Sequence, residues 1–394
     1  VDVLQRNQTN ACLETQAGIV LSRSHRRPIP SLTGLRVIAC FLVALSHLRF
    51  PGLSGKFLDF ERSGFCGVTF FFVLSGFVIA YNYRDLFYTI TLRNTRDYLI
   101  NRLARIYPLY LFAIIVAWWW HQEFTLPLLL YLLALQAWSP DVHVAFGING
   151  AAWSIGVELF LYAAFPLLAK LMHMSPVDRS LSRLLTLAFA ISAVMLAGTA
   201  VFAHFLGDVP STDPNSSHRW IYRMPVARLG DFILGMIGGL VILRHVETLK
   251  ALPIPWAAIR LSCCALVATL MTFLAPGTFA WDVAYAIPFA VLVVATAADE
   301  RSRFARFFSS RGMVVAGETS YAFYLIHLPA SEMWRAMSPP PGVIGYLAQF
   351  VFIALLAVGL HYSLERPAQR AIKRLFTVRR SLSVEDTERD ENRG

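Results

Sequence analysis

The sequence predicts an all-α fold, a polytopic transmembrane helical bundle of about ten crossing helices with one re-entrant or interfacial helix besides. Three observations carry that expectation. The 394 residues are 56% hydrophobic and only 15% charged, and the mean hydropathy is +0.53, outside the usual range for a soluble domain of this size. Apolar runs of membrane-spanning quality recur from residue 35 to residue 363 with short connections, leaving no stretch for a sizeable soluble core. The basic residues gather in short segments beside those runs, the pattern that orients a membrane protein.

Measured against the ~20 residues needed to cross a bilayer, candidate spans lie near 35–50, 65–81, 106–121, 124–138, 153–172, 184–206, 226–243, 256–275, 281–298, 314–334 and 343–363. Both tails are rich in Arg and Lys, with Arg23, Arg26 and Arg27 at one end and Arg366, Arg370 and Lys373 at the other. Both termini are therefore expected in the cytoplasm, with an even number of crossings of the cell membrane. The run 124–138 is short, begins around Thr-Leu-Pro and follows its neighbour closely, so it is assigned as the re-entrant or interfacial helix. The inner loops then hold fifteen Arg and Lys, Arg102 and Arg105 included, and the outer loops seven, Arg223 and Arg228 included. The expected organisation is a cytoplasmic tail over 1–30, a membrane domain over 31–367 and a basic-then-acidic tail over 368–394.

Composition also excludes classes. The net charge of +10 belongs to membrane orientation and not to nucleic acid. The five cysteines, Cys12, Cys40, Cys66, Cys263 and Cys264, show no CxxC and no His/Cys ligand spacing, so neither a disulfide framework nor a metal site is indicated. About thirty polar residues precede the first apolar run and no small-residue cleavage pattern follows it, so no secretory leader is expected.

Five stretches carry candidate chemistry. In "SLTGLRVIACFLVALSHLRF", Arg36 stands at the inner edge of the first span and His47 about 16 Å further along the axis. Snorkelling and interfacial capping account for such a pair; the chemical alternative is a base inside the membrane domain. In "GVTFFFVLSGFVIAY", Ser75 and Gly76 interrupt an aromatic run, a sign of close helix packing. In "RNTRDYLINRLARIYPLYLF", Arg102 and Arg105 share a helix face within an arginine cluster suited to clamping phosphates. In "GINGAAWSIGVELFLYAAFPLL", Glu158 stands inside an apolar span, where a carboxylate is costly and by default functional or paired. In "GETSYAFYLIHLP", Tyr324 and His327 share a face that suits a substrate passage or a polar lattice between helices.

Taken in order, these stretches resemble the acyltransferase type 3 family of integral membrane O-acyltransferases. Arg36 and His47 reproduce its first-span motif, "FFVLSG" resembles its second-span motif, "RLAR" its Arg-x-x-Arg, "WSIGVELFLYAAFP" its Trp-Ser-x-x-x-Glu segment and "SYAFYLIH" its late Ser-Tyr-x-x-Tyr-Leu-x-His segment. The resemblance implies ten or so helices, no bound cofactor, an acyl-CoA donor (acetyl-CoA foremost) on the cytoplasmic side and a hydroxyl acceptor, usually on a sugar. Carried over, His47 is the implied catalytic histidine with Arg36 its motif partner, and Arg102, Arg105 and Arg36 belong to the donor-binding region. Glu158 joins the catalytic set, and Ser75, Asn149, Trp153, Tyr324 and His327 the substrate-binding set. "IGVEL" departs from members with a Ser or second acidic residue beside the glutamate, which speaks against a two-carboxylate site. "LLALQAWSPD" followed by "GINGAAWSIGVE" is most similar to actinomycete members, which include enzymes that acylate macrolide antibiotic sugars. The hydrolase-like domain of some polysaccharide-decorating members is not expected after "SLERPAQR".

The expected mechanism has His47 take the proton of an acceptor hydroxyl as its oxygen attacks the thioester. Glu158, if it touches His47, orients the ring as the third member of a triad does. An acyl-histidine relay is the competing route. A macrolide sugar is the favoured acceptor, a cell-surface polysaccharide or lipid-linked sugar the alternative. A transporter or flippase also uses intramembrane His, Glu and Arg, but no repeated half with broken spans is present. A non-catalytic scaffold leaves Glu158 and His47 without a reason.

Overall fold

The computed structural model describes residues 26–121, 127–281 and 283–376; Arg23, Cys12 and the acidic segment 383–394 lie outside the described residues. Among the described residues ten long helices form the bundle and no strand occurs. They are α1 (Pro30–Leu48), α2 (Cys66–Tyr83), α3 (Leu92–His121), α4 (Trp153–Met174), α5 (Leu181–Leu206), α6 (Leu229–Ala251), α7 (Trp256–Phe273), α8 (Val283–Ala298), α9 (Arg311–Ala336) and α10 (Gly342–Leu360). Among the described residues nine stretches are long and apolar enough to cross a membrane. Only α9 falls short of the ten: at 26 residues it has the length, but Glu318, His327 and Glu332 interrupt its apolarity. Its middle, from Thr319 to His327, is buried among the other helices, so its polar groups face protein. By contrast α5 turns Leu185, Phe189, Val194, Val201 and Phe205 outward, which suits a helix in contact with hydrocarbon.

The described part of the run 124–138 is too short to cross. It is a six-residue helix, Pro127–Leu132, and a single 3-10 turn, Gln136–Trp138. Ala134 between them has φ 55, which a continuing helix does not allow. Beyond α10 the chain passes through a π-turn, His361–Glu365, and stays helical to residue 376.

Close backbone approach holds the centre together. A Cβ on Gly76 would stand 2.0 Å from the carbonyl oxygen of Phe232, and one on Gly235 1.9 Å from that of Val73. The packing expected of Gly76 is thus met by α6, whose own glycine answers it. In the same way a Cβ on Gly317 of α9 would stand 1.9 Å from the carbonyl oxygen of Thr33 on α1. From that contact to the histidines described below, α1 and α9 run side by side in one direction. The end of the bundle where α1 begins is called proximal here, and the opposite end distal.

Several cations counted as loop residues are not in loops. Arg102 and Arg105 lie well inside α3, which begins at Leu92, because "RNTRDYLIN" continues the helix without a breaker. Arg228 is fully buried and paired with Asp231 at 3.2 Å, and it donates to the Thr69 hydroxyl of α2 at 3.2 Å. Arg223, also buried, donates to the carbonyls of Ser139 and Pro140. These two carry structural bonds that a count of loop charges does not see.

Candidate active site

Two groups of predicted residues come together, at different depths. The first surrounds a cavity of about 320 Å³ that opens at the proximal end between α1, α2, α3, α4 and α9. Arg36, Arg102, Arg105, Ser75, Glu158 and Tyr324 all line it. Their convergence follows from helix register. On α4, Ser154, Glu158 and Tyr162 are successive i, i+4 positions on one face, and all three reach the cavity.

Glu158 accepts a hydrogen bond from the Ser75 hydroxyl at 2.8 Å and another from the Tyr162 hydroxyl. Its charge also acts on Arg36, whose guanidinium lies over the Phe71 ring at 5.9 Å. Arg102 donates to the Tyr83 hydroxyl at 2.8 Å and stacks on that ring at 4.8 Å. The Nε atoms of Arg36 and Arg102 are buried and have no acceptor among the described residues. Buried charged donors are costly to leave unmade. Two of them in one cavity, with Arg105 beside them, make a place for an anionic ligand.

The second group lies beyond the distal end of that cavity. His327, fully buried, brings its Nε2 to 3.0 Å from Nδ1 of His47, and the rings stand 5.1 Å apart. Its other nitrogen, Nδ1, meets the carbonyl of Tyr324 one turn back. His47 itself is exposed at the end of α1. Glu158 does not reach it. Glu158 points at α2 and Tyr162, while His327 shares its level with the end of α1.

Between the two groups runs a seam. The Tyr324 hydroxyl is 2.7 Å from that of Ser154 and donates to the carbonyl of Ala151 at 3.2 Å. Its ring lies 5.8 Å from that of His327. Asn149, 2% exposed, donates through Nδ2 to the carbonyl of Leu325 at 2.9 Å. That carbonyl is free for a reason: Pro329, four residues on within α9, has no N–H to give it. Trp153 is buried in an aromatic cluster with Phe72, Phe146 and Tyr222. His218 joins that cluster from a segment outside the long helices; burial and the nearby Arg223 and Arg228 push its pKa down to about 4, so it is neutral there. Of the predicted substrate-binding set, Ser75 and Tyr324 line the cavity, His327 backs His47, and Asn149 and Trp153 brace the seam.

Sequence reasoning missed Tyr162, Ser154 and Tyr83. The first two had a signal, since they stand four residues to either side of Glu158. Among the described residues no three His, Cys, Asp or Glu side chains cluster as metal ligands.

The profile described as an acyltransferase domain matches residues 29–366 of this chain. The chain belongs to the acyltransferase type 3 family. It is a membrane acyltransferase, and the five stretches that resemble that family's motifs are the segments that build the cavity and the histidine pair. The chain is similar to "Acyltransferase MdmB" of Streptomyces mycarofaciens, at 27% identity over 88% of this chain and 93% of that protein. It is similar also to "O-acetyltransferase OatA" of Staphylococcus aureus, at 26% identity over 87% of this chain and 58% of that protein. No solved structure matches it.

Proposed function

We propose that this acyltransferase moves an acyl group from acyl-CoA, acetyl-CoA foremost, to a hydroxyl of a sugar-containing acceptor. A macrolide antibiotic sugar is the favoured acceptor. The observation that carries the donor is the proximal cavity, with Arg36 and Arg102 each holding a buried Nε without an acceptor among the described residues. Phosphates of a CoA satisfy such donors through charge-assisted bonds, and the cavity walls around Phe71, Phe72 and Val78 suit a pantetheine arm. On this reading the proximal end and both termini face the cytoplasm, where acyl-CoA is found, and the bundle sits in the cell membrane.

The acceptor hydroxyl meets His47. Its oxygen attacks the thioester carbonyl, the C–O bond forms as the C–S bond breaks, and His47 takes the hydroxyl proton and returns it to the leaving thiolate. Glu158 keeps Ser75 and Tyr162 in place along the donor's path. A cell-surface polysaccharide or lipid-linked sugar is the second acceptor reading, favoured by the similarity to an O-acetyltransferase over most of this chain.

The test uses the purified full chain in lipid nanodiscs. Acetyl-, propionyl- and branched acyl-CoA are each offered with a macrolide antibiotic and with a polysaccharide precursor, and the products are read by mass spectrometry. Acylated macrolide with release of CoA is expected. Acylation of the precursor alone moves the acceptor to the second reading, and transfer to neither from any donor overturns the proposal.

A further inference from the structure

The two histidines are joined in a way that fixes where the protons sit. The chain of contacts runs from the Tyr324 carbonyl to Nδ1 of His327, and from Nε2 of His327 to Nδ1 of His47 at 3.0 Å. A carbonyl oxygen only accepts, so Nδ1 of His327 must carry a hydrogen. A neutral imidazole has one N–H, which leaves Nε2 of His327 as a lone pair. A doubly protonated His327 would be a fully buried cation with no carboxylate among its hydrogen-bond partners, a costly arrangement. Nδ1 of His47 must then donate to His327. The opposite tautomer fails at the buried end, where the lone pair of His327 Nδ1 would face the lone pairs of the Tyr324 carbonyl.

We infer that His327 is a positioning residue that holds His47 in the Nδ1–H tautomer, so that Nε2 of His47 presents its lone pair away from the protein as the base. The inference deepens the proposed function and rests on it for the identity of the base, but the tautomer stands on the contacts alone. The logic is that of a triad in which a buried group selects the tautomer of a catalytic histidine. Here a backbone carbonyl, relayed through a second imidazole, takes the place of a carboxylate. The segment around Pro329 supports it: with the Leu325 carbonyl tied to Asn149, the backbone that presents Tyr324 and His327 is held from the turn ahead of α4 as well as from α9.

Solid-state NMR of the full chain, 15N-labelled at histidine and reconstituted in lipid, reads the tautomer directly, with His47→Gln used to assign the signal. A bare Nε2 and a protonated Nδ1 on His47 are expected; a bare Nδ1 overturns the inference whatever the enzyme's substrates are. Kinetics with acetyl-CoA and the macrolide form the second arm. His327→Gln places an amide oxygen where Nε2 stood and keeps an acceptor for His47, whereas His327→Met fills the space and keeps none. His327→Gln should retain kcat within roughly tenfold, and His327→Met should lose roughly a hundredfold or more with the KM for acetyl-CoA unchanged. Equal losses in the two variants, or a raised KM without a fall in kcat, overturn the positioning role. A correct tautomer together with an active His47→Gln enzyme would instead refute the proposed function and leave the proton assignment intact.

Discussion

The proximal cavity and the distal histidine pair are both polar and opposite in how their polar groups are satisfied. In the cavity, Arg36 and Arg102 each keep a buried donor that no group among the described residues accepts. At the pair, every inner nitrogen has a protein partner, and His47 alone faces outward. A region with unmet donors is built to be completed by a ligand. A region whose donors are met internally is built to hold one group in one state. The binding and the chemistry are thus expected to separate by mutation.

The largest effect is expected at the distal end. His47→Ala should reduce transfer by about 10²–10⁴-fold, while binding of acyl-CoA to the purified protein stays within a few-fold of wild type by isothermal titration calorimetry. Donor affinity lost in step with activity would erase the distinction between the two regions. Next comes Arg102→Ala. The loss of hydrogen bonds from a charged group, about 1.5–3 kcal/mol, corresponds to a rise of roughly 10- to 100-fold in the KM for the donor, with kcat little changed. Initial rates over a range of donor concentration separate the two; a fall in kcat at unchanged KM would move Arg102 from binding to chemistry.

Glu158 sharpens the comparison because the sequence and the structure read it differently. Glu158→Gln keeps an acceptor for Ser75 and Tyr162 and removes the charge beside Arg36, so a fall in kcat of roughly tenfold or less is expected. Glu158→Leu strands both hydroxyls and should cost more in activity and in thermal stability. A loss from Glu158→Gln as large as that from His47→Ala would return the carboxylate to the catalytic set.

How much of this was legible beforehand follows from what each signal depends on. The bundle was readable because apolar length is a local property, and eight of the long helices fall within a few residues of their runs. α3 was read too short because a span count sees only apolarity, and the polar first half from Leu92 is helical by continuity. Arg36, Arg102, Arg105 and Glu158 were each visible as charges out of place in apolar surroundings. Their meeting in one cavity was not, since it depends on the rotation of five helices about their axes. The bond between His47 and His327 spans 280 residues of sequence, and no spacing rule reports on contacts of that kind. The loop-charge count assigned Arg223 and Arg228 to orientation because burial cannot be read from a residue's type.

The smallest effect, and the one that tests the seam between the regions, is expected from Tyr324→Phe. The hydroxyl bonds Ser154 and Ala151, so its removal deletes a buried hydrogen bond and frees the Ser154 hydroxyl to donate to the Ala151 carbonyl, 3.1 Å away. About 1 kcal/mol of stability is at stake, readable as a small downward shift in melting temperature in detergent. The backbone carbonyl that anchors His327 is untouched by the substitution, and the ring that closes the distal end of the cavity remains. Activity within a few-fold of wild type is therefore expected. A loss approaching that of His47→Ala would mean that the Tyr324 hydroxyl itself handles the acyl group as it passes from cavity to histidine. The seam would then be part of the chemistry, and the division between a binding end and a reacting end would have to be redrawn at Tyr324.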